Sequence, residues 1–216
     1  MISRSSVASR VDTPSELVAV YADESCLGNG QKNGDTPGGA AGVIEWQHPE
    51  TGTIKRWDYW ISEPSTTNNR MALRSVIEAF RGISKKERLF RVVFTTDSRY
   101  VVDGMTSWVH GWAARGWTRK GGAIENLALW QDALRALGRH ECEWRWVRGH
   151  NGQPQNEYAN HLATRAAAAQ NDSGGLVPSE FETWLGAHHG KGVTAQPLAP
   201  FPSHDTFKGR ARAWKL

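Results

Sequence analysis

Two aspartates stand where apolar runs stop. LVAVYADESC carries Asp23 and RVVFTTDSRY carries Asp97, each just after a β-branched stretch that reads as a buried strand. In an open α/β sheet, ligands gather in the crevice beyond the strand ends. Two carboxylates delivered there are the oxygen donors that a hard cation such as Mg2+ takes. An aspartate after a strand also serves as a turn former or a helix N-cap, so neither residue decides the matter alone. A third acid, Glu24, follows Asp23. Strand alternation sends Glu24 to the opposite face, away from Asp23; a turn of the backbone at the strand end would bring it back.

The elements that must position these residues follow from periodicity. LVAVYA (17–22), GGAAGVIEW and TIKRWDYWI read as three strands of an antiparallel meander, with a Gly-, Asn- and Pro-rich loop from Gly28 to Gly39 between the first two. TTNNRMALRSVIEAFRGI has helical spacing at Met71, Val76, Ala79, Phe80 and Ile83, with Thr67 or Asn68 as N-cap. RVVFTT is a fourth strand, reached by a helical crossover and therefore parallel to an earlier one. SRYVVDGM, SWVHGWAARGW and IENLALWQDALRAL read as helices, CEWRWV as a fifth strand and PQNEYANHLATRAAAAQ as a last helix. Residues 1–15 read as a disordered arm and 16–170 as one α/β domain. Residues 171–216 read as a linker, NDSGGLVP, and a Pro-rich, then basic tail; within it EFETWLGAHH has the pattern of a short helix.

Composition narrows the class. A chain of 216 residues is long enough for one domain with a real core. The net charge of +4 and pI of about 9.2 suit a polyanion without requiring one. Two cysteines, Cys26 and Cys142, form neither a metal-ligand spacing nor a disulfide framework, which points to a reducing cytoplasm. No stretch is apolar and long enough to span a membrane. Eleven tryptophans are many for this length. Trp46, Trp57, Trp60, Trp144 and Trp146 lie in strand-like runs and read as core. Trp108, Trp112 and Trp117 lie among His110, Arg115, Arg119 and Lys120, a mixture that suits a sugar–phosphate backbone.

YADESCLGN, TTNNRMALRS, FTTDSRYVVDGM, WVHGWAARGW, ENLALWQ and WRWVRGHNGQPQNEYANHLA together resemble ribonuclease H type 1, in the family's order and with similar spacing. The resemblance implies a ribonuclease H-like α/β fold: a five-stranded mixed sheet, order of elements β-β-β-α-β-α-α-α-β-α, flanked by helices. It implies a monomeric endonuclease that cuts the RNA strand of RNA–DNA hybrids with two Mg2+ ions, Mn2+ being a substitute. Of the family's four acidic positions, Asp23 and Asp97 are present. Ala72 stands where the family has Glu, and Asn160 where it has Asp.

Two-metal cleavage sets ions roughly 3.5–4 Å apart on the attacking water and the leaving oxygen. Shared anionic ligands must offset their repulsion. The resemblance makes Asp23 the bridging ligand, with Asp97 on the leaving side. Asn160 still offers an amide oxygen, whereas the Ala72 methyl offers nothing; a lost ligand costs roughly a factor of 10–100 in metal affinity. Glu157, three residues before Asn160 on the same helix face, is the acid best placed to compensate, and it also suits the helix dipole. His150, in the glycine-flanked loop RGHNGQP, matches the family's proton shuttle. Thr67 and Asn126 match positions that grip a DNA phosphate. Cys26, Asn29, Asn68 and Asn69 match positions lining the minor groove near 2′-OH groups, with helix capping as the alternative for the last two. Trp108 and Trp112, four apart on one helix, are expected on DNA, and Trp117 in the core. The expectation is an endoribonuclease weakened at Ala72 and Asn160. The alternatives are a non-catalytic hybrid-binding module and a chain deliberately altered at those positions to block cleavage.

Overall fold

The computed structural model describes residues 16–28, 36–84, 88–188 and 194–211. Three long strands, β1 (Glu16–Cys26), β2 (Thr36–Gln47) and β3 (Ile54–Thr66), form the antiparallel meander. Helix α1 (Asn68–Ile83) then crosses to β4 (Phe90–Thr96), which lies parallel to β1, and β5 (Glu141–Trp146) lies parallel to β4. Between β4 and β5 run α2 (Arg99–Asp103), a π-helical turn (Gly104–Trp108), α3 (Val109–Ala114) and α4 (Leu127–Leu137). Gly104 permits this arrangement: a Cβ there would stand 2.0 Å from the Trp130 ring. The last helix of the expected domain is α5 (Pro154–Ala169).

The sheet has six strands, in the order β5-β4-β1-β2-β3-β6, rather than the expected five. The extra strand, β6 (Val177–Pro178), pairs with β3, and α6 (Phe181–His188) follows it. A two-residue strand has no periodicity to read, and its place comes from tertiary contacts. Asp58 Oδ2 accepts from the Tyr158 hydroxyl at 2.6 Å and from the Glu180 backbone N–H at 3.1 Å, tying α5 and the start of α6 to β3. Further on, Gln155 exchanges two hydrogen bonds with the Ala199 backbone, and Arg210 bridges to Cys142 at the free edge of β5. The residues expected as linker and tail are therefore tied to the sheet and to α5 at Val177–Pro178, Ala199 and Arg210. The expected N-terminal arm lies outside the described residues.

The two faces of the sheet carry separate cores. Val18, Val20 and Ala22 of β1 pack with Ala72, Val76 and Phe80 of α1 and Trp130 of α4. Ala19 and Tyr21 pack with Tyr158 and Leu162 of α5 and with Phe181 and Trp184 of α6. The period-two alternation of a strand thus distributes one sequence run between two layers. Helix α5 lies close on β2 because the strand there is small: a Cβ on Gly39 would stand 2.2 Å from the Ala163 carbonyl oxygen. Removing the Phe80 ring from the first core would cost about 3–5 kcal/mol.

Candidate active site

Strand pairing places the two aspartates together. The β1–β4 ladder ends at Ala22 and Thr96, so Asp23 and Asp97 are the next residues on adjacent parallel strands. Asp23 is buried and still pairs with Ala41 of β2 on its other side; Asp97 is half-buried. Glu24 joins them. One carboxylate oxygen from each of Asp23, Glu24 and Asp97 lies within 4.8 Å of the others.

This corrects the expectation that Glu24 points away, and the reason is geometric. Alternation holds: Glu24 continues the series Val18, Val20, Ala22 on the α1 face, while Asp23 continues Ala19 and Tyr21 on the α5 face. Beyond Ala22, however, β4 no longer flanks β1. Both side chains can then reach the gap into which Asp97 projects. The α1 face is also the face of Ala72, which is buried in that core. Glu24 and Ala72 therefore belong to the same side of the sheet.

The electrostatics are those of crowded acids. Burial, then the charges of Asp97 and Glu24, hold Asp23 well above the usual carboxylate range. Burial and the Asp97 charge push Glu24 up to about 8, against a hydrogen bond from Ser98. Asp97 is raised chiefly by burial, with the His150 charge among the opposing effects. The Glu24 backbone N–H donates to Asp23 Oδ1 at 2.7 Å, and Asn156 Nδ2 makes a long 3.5 Å contact with Asp23 Oδ2. Three acids that resist ionising together match what a bound dication would relieve, and all-oxygen donors suit a hard ion.

Around this cluster, Gly149 closes on Asp97: a Cβ there would stand 2.1 Å from Asp97 Oδ2, so the loop needs glycine. His150 follows, exposed and in the left-handed region at φ 49°. Glu157 is outside the three-carboxylate group; its Oε1 accepts from the Gly152 N–H at 2.9 Å, though its charge still raises Asp23 and Asp97. The acid that gathers with the aspartates is thus Glu24 rather than Glu157. Asn160 lies half-buried one turn beyond Asn156.

The expected substrate-facing residues divide. Thr67 caps α1, its Oγ1 accepting from the Arg70 N–H at 3.4 Å, so Asn68 and Asn69 are not the caps. Asn68 Oδ1 is buried without a partner. Cys26 is buried with Ala40, Ile61 and Met71, and burial pushes its thiol up to about 11. Asn126 adopts a left-handed conformation at the start of α4 and donates to the Tyr100 hydroxyl at 3.3 Å. Asn29 lies outside the described residues. Both rings lean on the buried Trp130, Trp108 at 6.3 Å and Trp112 at 5.7 Å, but Trp108 is 38% exposed and Trp112 half-buried. Both line a cleft of about 440 Å³ with Arg115 and Arg119. Trp117 packs against the core, as expected.

Asn156 escaped the sequence reading, whereas Glu24 and Trp146 were read there and assigned elsewhere. Glu24 was legible from strand parity combined with the side on which α1 must pack. Asn156 was legible as one helical turn before Asn160. Trp146, expected in the core, is 42% exposed; its indole N–H donates to the Asp97 carbonyl at 2.9 Å, and the Arg99 guanidinium lies 4.0 Å over its ring. No pattern in CEWRWV announced that.

Comparison with known proteins agrees with this geometry. The family model described as RNase H matches residues 15–168. The Ribonuclease H of Herminiimonas arsenicoxydans is 40% identical over 159 residues, 73% of this chain and 99% of its own length. That of Janthinobacterium sp. (strain Marseille) is 42% identical over 151 residues, 69% of this chain and 95% of its own. The crystal structure of LC9-RNase H1, described as a type 1 RNase H with the type 2 active-site motif, is 61% identical and superposes with a TM-score of 0.85, covering 92% of this chain and 94% of that one. This last match extends past the family body into the C-terminal extension. With aspartates at paired strand ends, a matching family model over most of its length and relatives aligned almost end to end, this chain belongs to the ribonuclease H family.

Proposed function

We propose that this ribonuclease H cleaves the RNA strand of RNA–DNA hybrids with Asp23, Glu24 and Asp97 as its metal-binding carboxylates. The observation that carries this reading is the gathering of Glu24 with the two aspartates. Glu24 supplies the carboxylate that Ala72 lacks, which leaves Asn160 as the departure expected to weaken metal binding. The description of LC9-RNase H1 as a type 1 enzyme with a type 2 active-site motif supports an acidic set rearranged within an unchanged fold.

Two Mg2+ ions would be held by the three carboxylates and the Asn160 amide oxygen; when bound, they supply charge stabilisation on the attacking and leaving oxygens. The protein's own residues do the remainder. Asp23 is positioned by Asn156 and the Glu24 N–H. His150, exposed on its glycine-flanked loop beside Asp97, is suited to carrying a proton between the site and solvent. Glu157 braces that loop through Gly152. The unpartnered Asn68 Oδ1, with Asn69, fits a ribose-reading edge, since a 2′-OH can donate to an amide oxygen, while the buried Cys26 thiol would serve only as backing for that edge. Thr67, Asn126, Trp108 and Trp112 fit the DNA strand. Two free, buried cysteines suit a cytoplasmic monomer.

The test is cleavage of an end-labelled hybrid by wild type and Glu24→Gln in Mg2+, Mn2+ and EDTA. Metal-dependent cutting confined to the RNA strand, and lost in Glu24→Gln, is expected. Tight binding of hybrid by the wild type with no cutting in either metal would replace this reading with a binding module.

A further inference from the structure

Beside the carboxylate cluster, α5 and α6 form a groove of about 440 Å³, lined by Glu157, Asn160, His161, Arg165, Trp184 and His188. Its volume falls in the range of small-ligand sites, roughly 300–1,000 Å³. One end is at Asn160 and at Glu157, whose charge is felt by Asp23 and Asp97. The other runs along exposed residues of α5. The α6 wall lies outside the stretch matched by the family model, so the groove is an addition to the family body.

Its chemistry is flat rings with a cation. Trp184 and His188 stack at 4.7 Å between centroids and 24° between planes, fixed by a 2.8 Å contact of His188 Nδ1 with the Trp184 carbonyl. His161 stands 6.0 Å from the Trp184 ring and 6.2 Å from that of His188. Arg165 also lines the groove, with its guanidinium 5.1 Å over the Trp60 ring. The buried Trp184 indole nitrogen has no acceptor. Rings that stack on bases, with a cation for the backbone, form the set that holds single-stranded nucleic acid.

We infer that the α5–α6 groove binds unpaired RNA continuous with the strand that enters the active site. The occupant follows from continuity: on the hybrid-cleaving reading, nucleotides adjoining the scissile bond would pass Glu157 and Asn160 toward His161. It must be unpaired there, because a base in a duplex has no free face for His161 or His188. The inference rests on the hybrid-cleaving reading for the identity of the strand.

The experiment measures anisotropy in EDTA for a blunt hybrid, for the same hybrid with an RNA overhang at either end, and for one with a DNA-strand overhang. Wild type should bind one RNA-overhang hybrid roughly tenfold more tightly than the blunt one, the scale of one stacked base. The double variant His161→Ala, Arg165→Ala should lose that gain and bind the blunt hybrid unchanged. Both side chains are on the exposed face of α5, and His188→Ala provides a second variant that leaves Trp184 in place. No overhang gain in wild type, an equal gain from the DNA overhang, or equal losses on blunt hybrid would each overturn the inference. A wild type that shows the gain but cuts no hybrid in Mg2+ would support the groove while removing the cleavage reading. A wild type that cuts but shows no gain would remove the groove alone.

Discussion

The two faces of β1 have met the loss of a family carboxylate differently. On the α1 face, Ala72 is buried in a continuous apolar core, and the acid that gathers with the aspartates comes from the strand itself, Glu24, which we propose takes the helix carboxylate's part. On the α5 face, Asn160 offers only an amide oxygen, no acid among the described residues gathers with Asp23 from that side, and Asn156 contacts the Asp23 carboxylate. The difference teaches that a metal site is specified by where oxygens arrive, while the element that carries them can change. A carboxylate moved from helix to strand leaves the helix free to pack as core. A carboxylate exchanged for an amide lowers the charge of the site without moving it.

The comparison breaks most visibly at Glu24. Glu24→Gln should lower hybrid cleavage by about a hundredfold or more at limiting Mg2+, given that one lost contact to a metal site costs roughly 10–100 in affinity. Asn160→Asp should change the rate by less than about tenfold, and upward. Rates measured across a Mg2+ titration decide it, and the reverse ranking would show the α5 face to be the critical one.

Ala72→Glu probes the same asymmetry through stability. A carboxylate at this buried site would face the apolar core, at a cost of about 3 kcal/mol. Urea melts in EDTA should show that loss, and Glu24→Ala in the same chain should recover part of it. If Ala72→Glu alone melts like wild type and cuts faster, Glu24 does not take the helix carboxylate's place.

The tryptophans sharpen the comparison at a distance from the metal site. Trp108→Ala should weaken hybrid binding by about 1–3 kcal/mol with little change in melting. Trp112→Ala should lose affinity and stability together, because its ring leans on Trp130. Identical outcomes for the two would show that exposure does not separate their roles.

The smallest effect expected is a pH dependence. His140 is buried; its Nδ1 accepts from the Phe90 N–H at 3.0 Å, its Nε2 lies 3.0 Å from the Ser84 hydroxyl, and burial lowers its pKa from 6.5. The folded chain therefore binds this proton less readily than the unfolded one. Its contribution is full above pH 6.5 and declines as pH falls below it, by at most about 1.4 kcal/mol per unit. Unfolding free energies at descending pH should fall less steeply in His140→Gln than in wild type.

Local pattern was enough for the strands that end in Asp23 and Asp97, for the amphipathic α1 and for the glycine-flanked His150, because each is written in residues adjacent or one turn apart. The positions of Ala72 and Asn160 were legible in the same way, as substitutions in recognisable strings. Tertiary structure decided the rest. Whether Glu24 points away or into the site depends on where the β4 ladder stops, which is a property of two strands far apart in sequence. The exposure of Trp146 depends on its lying beside Asp97 at the sheet's end. The packing of the C-terminal extension depends on Asp58 and Gln155, buried polar groups that find partners only when distant segments arrive. Sequence periodicity states which side of an element is apolar; only the assembled sheet states what that side meets, because the meeting partners are supplied by other parts of the chain.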